Sequence, residues 1–131
     1  MIIAYAEVEP LDRGGGIRTV PLVTPRSRPG APITTGISIY PPGTGAPLHT
    51  HNCDEQVTLL GGLAEVEIEG VATPLELHDT TYIPHGVEHA FRNRGREDMT
   101  ILWIYCSNRV TRTLSAGGET VEHLSARDRM A

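Results

Sequence analysis

The sequence contains no lysine; all 11 of its basic side chains are arginine. Schiff-base chemistry and lysine acid–base roles are therefore excluded. Positive charge as a whole is in short supply, since 16 acidic side chains leave a net charge of −5. Nucleic acids and anionic membranes are recognised by a basic face, so neither is an expected partner. The only cysteines, Cys53 and Cys106, are too few for a disulfide framework. They read as two reduced thiols of a cytoplasmic protein. No apolar run approaches the roughly 20 residues of a membrane span. The first residues, Met1 to Glu7, lack the basic head and apolar stretch of a signal peptide.

Glycine and proline are plentiful, 14 and 10 among 131 residues. Such a composition favours turns over long helices. The length suits one domain, residues 1–131, with a core of its own.

The hydropathy pattern is one of short strands. A strand candidate at 17–23 lies within thirty loop-rich residues. Ile37 and Ile39 alternate with Ser38 and Tyr40 until Pro41-Pro42-Gly43 stops the run. Gln56 to Leu60 is followed by Gly61-Gly62, which suits a two-residue hairpin turn. Ala64, Val66 and Ile68 alternate with Glu65, Glu67 and Glu69, a strand with one wet face. Gly70 closes it, and the return at 71–77 carries Pro74, which belongs on an edge or at a bulge. Further strands are expected at 81–83, 87–93 and 100–106. The last of these is apolar at both parities and reads as covered on both faces. Together with the detached N-terminal segment, it suits either a homodimer or a monomer whose N-terminus covers its own sheet. A short helix is expected over 119–130. The sum is an all-β antiparallel barrel or sandwich.

Two clusters carry chemistry. In the first, Gly43 to Glu55, His49 and His51 stand two apart, so a strand turns both to one face. Glu55 follows a likely bend at 52–54 and returns to the same volume. In the second, Pro84-His85-Gly86 forms a turn that launches a strand with His89 near its start. Three imidazoles and a carboxylate inside an apolar barrel call for a divalent cation, which offsets the desolvation of Glu55. Nitrogen and oxygen donors suit Fe, Mn, Co, Ni, Cu or Zn.

These clusters resemble the two motifs of the cupin family. The first spans residues 43–62 as Gly43, His49, His51, Glu55 and Gly62, with every spacing satisfied. The second spans residues 78–93 as Pro84, Gly86, His89 and Asn93, with His78 in place of its leading glycine. The resemblance implies an antiparallel jelly-roll barrel, open at one end, with an N-terminal extension and a short C-terminal tail. It implies one divalent transition metal per chain held by His49, His51, Glu55 and His89, with coordination positions left for a small-molecule substrate. Small relatives in that family include dioxygenases, sugar-related isomerases and polyketide cyclases. A dioxygenase is the first expectation. The alternatives are a non-redox isomerase, cyclase or lyase, and a non-catalytic binding or sensor barrel.

The remaining candidates have plainer readings. Cys53 is expected as a small buried side chain and Cys106 as core. His85 is expected in solvent, His78 in a turn and His123 on a mobile tail. Gln56 should face away from the ligands, Phe91 should wall the pocket, and Asn93 should tie down a turn. Tyr40, Trp103 and Tyr105 suit either the pocket wall or a subunit interface. Arg92, Arg94 and Arg96 read as a solvated strand end.

Overall fold

Alternating burial along short extended segments assembles this chain into two six-stranded sheets. The computed structural model describes residues 1–130. A single turn of 3-10 helix, Tyr5–Glu7, precedes twelve strands. They are β1 (Leu11–Asp12), β2 (Arg18–Pro21), β3 (Thr34–Tyr40), β4 (His49–His51), β5 (Glu55–Gly61) and β6 (Ala64–Ile68). Then follow β7 (Val71–Leu75), β8 (Thr80–Ile83), β9 (His89–Arg92), β10 (Met99–Tyr105), β11 (Thr111–Leu114) and β12 (Thr120–Glu122). One sheet has the order β1-β2-β3-β10-β5-β8 and the other β12-β11-β4-β9-β6-β7. All pairings are antiparallel. The inner faces enclose a core that includes Ile17, Val57, Leu59, Val66, Ile83 and Met99. No helix among the described residues is long and apolar enough to cross a membrane.

The centre of the first sheet is β10, between β3 and β5. Its Ile101, Trp103 and Tyr105 point inward and are buried, while Thr100, Leu102 and Ile104 are half-buried on the outside. Only one face of this strand is therefore fully covered by the chain. Trp103 lies opposite Gly36 of β3. A Cβ at that glycine would stand 2.3 Å from the indole ring, so the flat approach of strand and ring needs a residue without one. The indole N–H then donates to Ser38 Oγ at 2.9 Å.

The β6 strand buries Ala64 and Val66 and turns its glutamates outward, as its alternation predicts. Glu69 and Gly70, both at positive φ, make the tight turn into β7. With Pro74, β7 forms the edge of the second sheet, where a missing N–H is harmless.

Two local expectations are corrected. Gly61-Gly62 does not close a hairpin, because β5 and β6 lie in different sheets. The turn carries the chain from one sheet to the other. Gly62 has φ +75°, and a Cβ there would meet the Asp98 carbonyl oxygen at 2.3 Å. The segment 119–130 is not helical. Gly117 and Gly118, both at positive φ, reverse the chain so that β12 pairs with β11, and turns follow to Asp128. Sheet pairing here overrides a weak helical pattern.

That segment is pinned, not loose. The buried Asp128 receives Arg13 Nη2 at 2.7 Å and lies 2.8 Å from Arg112 Nε. The Met130 N–H donates to the Arg13 carbonyl at 2.7 Å.

The crossing at Gly62 yields a test. Gly62→Ala is expected to destabilise the fold by about 2 kcal/mol or more, from left-handed strain plus the clash with Asp98. The midpoint of urea unfolding measures it, and an unchanged midpoint would contradict the crossing geometry.

Candidate metal centre

The site begins with strand parity. β4 presents buried His49 and His51 on one side and half-buried Thr50 on the other. β9 is its neighbour, and His49 pairs directly with His89. The second sheet therefore delivers three imidazoles to one spot, with ring centroids 4.4 to 5.3 Å apart. The chain leaves β4, bends through 52–54 and enters the first sheet at Glu55, which faces the rings from the opposite wall. All four side chains are buried.

Hydrogen bonding fixes how the rings are presented. His49 Nδ1 is bonded to the Pro47 carbonyl, His51 Nδ1 to that of Thr111 at 3.0 Å, and His89 Nδ1 to that of Val87 at 2.9 Å. A carbonyl only accepts, so each Nδ1 carries the proton and each Nε2 offers a lone pair. This orientation by an outer hydrogen bond is the arrangement metal-ligating histidines use. One ligand atom from each of the three rings lies within 4.8 Å of the others, a group able to hold a metal ion.

Glu55 completes the convergence. Its Oε1 lies 3.1 Å from His89 Nε2, and its Oε2 lies 3.7 Å from His51 Nε2. Although Glu55 Oε1 and His89 Nε2 are close and buried, neither finds a hydrogen bond of acceptable geometry. A carboxylate oxygen and an imine lone pair facing each other repel unless a cation or proton lies between them. Two orphaned buried atoms aimed at one point fit a metal ion.

The electrostatics agree. Burial holds His49 well below the ordinary histidine range and lowers His51 as well. Burial also acts to depress His89, but the adjacent Glu55 outweighs it and holds His89 above its usual value. Burial acts to raise Glu55, but His89 and His51 outweigh it and bring it down to about 2. Two rings are thus ready-made neutral donors, and the third holds a proton that a metal ion would displace.

The rest of the cavity is aromatic and polar. Tyr40, Phe91, Trp103 and Tyr105 line it, which assigns the open candidates to the pocket wall. Burial pushes the Tyr40 phenol up to about 12 and Tyr105 well above its usual value, so both stay protonated. The Tyr105 hydroxyl lies 3.2 Å from His51 Nε2. Asn93 donates to the carbonyls of Tyr40 and Glu97, tying down the end of β9 as expected.

The peripheral candidates divide. His85 stands in solvent and bonds to Asp54, and His78 occupies a positive-φ turn. Cys53 is buried, and burial pushes its thiol up to about 11, away from ligation. Cys106 is not core. With Tyr105 pointing inward, the next side chain points out, and Cys106 is exposed. Arg92 and Arg94 pair with Glu65 and Glu67 on neighbouring β6.

His123 is the residue that sequence reading misplaced. It lines the cavity, its ring 5.0 Å from Trp103 and 4.9 Å from Tyr105. Burial holds it well below its ordinary range, as a neutral imidazole. Arg13 and Met130 line the same space. No spacing links these three to either motif, so the pattern that revealed the other histidines could not reveal them.

Comparison with known proteins places this arrangement. A family model described as "Cupin domain" matches residues 36–105, from β3 through the whole of β10. Polyketide synthase CurC of Streptomyces cyaneus is 32% identical over 104 residues, covering 78% of this chain and 66% of that protein. Protein SchB of Streptomyces halstedii is 33% identical over 96 residues, covering 72% and 68%. The chain thus spans about two thirds of the length of these relatives. Among solved structures, a predicted oxalate decarboxylase from Thermotoga maritima superposes with a TM-score of 0.72. It shares 21% identity and is covered to 99%, against 82% of this chain. A cupin-superfamily sugar phosphate isomerase from Silicibacter pomeroyi superposes over 100% of both chains, with a TM-score of 0.71 and 17% identity. At such identities the likeness concerns the fold.

The geometry predicts a pH-dependent metal site. An ion must displace the proton on His89, so acidification through the raised range of His89 weakens binding. The expected loss is about tenfold in affinity per pH unit, one proton being exchanged per ion. Calorimetric titration with Zn between pH 5.5 and 8 measures it, and a flat profile would contradict a site built on this ring.

Proposed function

The chain belongs to the cupin family, and from that premise we propose that its barrel is the active site of a metal-dependent enzyme acting on a small organic molecule. The observation that carries this reading is the tautomer lock: three Nδ1–H groups held by backbone carbonyls turn three Nε2 lone pairs on one point. The proposed ligands are His49, His51, His89 and Glu55, with one divalent transition metal per chain. Such an ion supplies either O₂ activation or Lewis-acid polarisation of a substrate oxygen.

The residues of the chain supply the rest. The aromatic wall of Tyr40, Phe91, Trp103 and Tyr105 keeps the cavity largely free of bulk water, so each charge inside acts at greater strength. Tyr105 Oη keeps its proton and presents it to the ligand cluster as a hydrogen-bond donor. The Trp103 N–H is committed to Ser38 and serves to hold the ring in place.

Two chemistries fit the same ligand set. A dioxygenase is supported by the combination of three histidines and one glutamate. A non-redox cyclase, isomerase or lyase is supported by a different observation, the printed name of the Streptomyces cyaneus relative, a polyketide synthase. That name suggests a polyketide-like substrate for this chain also.

Elemental analysis of the purified protein should find about one transition metal per chain, and His49→Ala or His89→Ala should lose it while the barrel stays folded. Glu55→Gln, nearly the same shape without the charge, should weaken metal binding by roughly tenfold or more. A protein that neither carries nor takes up metal would overturn the enzyme reading. O₂ consumption with an Fe-loaded sample and a panel of polyketide-like and other small substrates separates the chemistries: uptake favours the dioxygenase, and turnover without uptake favours the non-redox reaction.

A further inference from the structure

The wall around the histidines carries more positive charge than the fold requires. Arg13, Arg112 and Asp128 are all buried, and they place two guanidiniums on one carboxylate. Arg112 lies 2.8 Å from Asp128 Oδ1 through Nε and donates to the Arg129 carbonyl through Nη2. Arg13 donates from Nε to the Asp128 carbonyl, from Nη1 to Thr19 Oγ1 and from Nη2 to Asp128 Oδ2. A guanidinium has five N–H groups, so Arg13 retains two beyond these bonds. Arg13 is 3% exposed and lines the cavity. A buried cation without a matching anion is costly. A divalent ion would bring in more positive charge than Glu55 offsets.

The size of the space adds a second constraint. The cavity has a volume of about 30 Å³, enough for an ion and one small polar group. Beside it lies a groove of about 920 Å³ between the N-terminal segment and the β11–β12 edge. Ile3, Val8, Leu11, Leu22, Val110 and Leu124 give the groove its apolar lining. Among the described residues, His123 is the one side chain that lines both spaces. Its ring nitrogens make none of the hydrogen bonds found within the protein, so it presents an unpartnered polar edge at the neck.

We propose that the substrate is an organic anion with an apolar body, its charged oxygen entering the cavity to meet the free N–H groups of Arg13 and its body lying in the groove beyond His123. This assignment rests on the reading of the cavity as a metal-dependent active site, and it names the class of molecule that site takes. A carboxylate or an enolate satisfies it; a neutral sugar or a free phosphate lacks either the charge or the apolar body.

Trp103, the one tryptophan of the sequence, lines the cavity and reports on occupancy without any turnover. The probes are octanoate and its neutral counterpart octanamide, titrated into Zn-loaded protein while Trp103 fluorescence is followed. Octanoate is expected to bind at least tenfold more tightly than octanamide, and Arg13→Gln to remove at least tenfold of that preference. Val110→Phe, which fills the groove, is expected to weaken both probes. Equal affinities for the two probes, no binding of octanoate, or an undiminished preference in folded Arg13→Gln would overturn the proposal. Unchanged affinities in Val110→Phe would overturn the groove assignment. Arg13 also anchors Asp128, so Arg13→Gln has a back-up in His49→Ala, which lacks a metal ligand. Octanoate preference there supports Arg13 as the anchor, and its loss assigns the preference to the ion and overturns the proposal. Metal content measured on the wild-type sample keeps the two readings apart: absent metal sinks the enzyme assignment, whereas the His49→Ala titration still decides the fate of Arg13.

Discussion

Everything in the cavity depends on three backbone carbonyls. Those of Pro47, Thr111 and Val87 take the Nδ1 protons of His49, His51 and His89, and so point three Nε2 lone pairs inward. Without that constraint each imidazole could turn its N–H toward the centre, and the cluster would be a set of self-satisfied polar side chains. With it, Glu55 Oε1 and His89 Nε2 are left facing each other with no hydrogen bond between them. The arrangement is stable only with something positive in the middle, an ion or a proton.

The fold makes the constraint attainable. Pro47 and Val87 each lie two residues before the histidine they orient, so these two locks are local and come with the approach to β4 and β9. The third is long-range: Thr111 belongs to β11, the other neighbour of β4. Glu55 reaches the cluster because the chain changes sheets just after His51. A residue four positions away on a continuous strand would share the face but lie too far along it. The bend at 52–54 converts that sequence separation into opposition across the cavity.

Much of this was legible in the sequence because it is written in short periods. His49 and His51 share parity, β6 shows its alternation openly, and Pro74 marks an edge. The motif spacings resembling cupins brought His89 and Glu55 to the same place. Features resting on distant contacts were not legible. Gly61-Gly62 has the chemistry of a hairpin turn, yet whether two flanking strands pair is decided by the neighbours each finds elsewhere, β10 and β8 for β5, β9 and β7 for β6. His123 follows a glycine-rich turn near the end of the chain and shows no periodicity. Its place beside Trp103 and Tyr105 is set by the β11–β12 pairing and by a carboxylate farther on. Cys106 was misread because an apolar run at both parities conceals where a strand ends.

That carboxylate, Asp128, shows why the last segment belongs to the site and is not an appendage. Ordering a terminal stretch costs conformational entropy of about 1–2 kcal/mol per residue, and its few apolar contacts offset only part of that. A buried carboxylate shared by two guanidiniums, and accepting the Leu124 N–H besides, supplies a directional hold that an apolar plug would lack. The same bonds position Arg13, since two of its N–H groups are directed at Asp128 or its carbonyl. The orientation of Arg13 at the cavity wall and the closure of the barrel by residues 123–130 are consequently one structural fact. A shift of this segment would move His123, Met130 and the guanidinium together, changing the neck of the cavity and its charge in a single step.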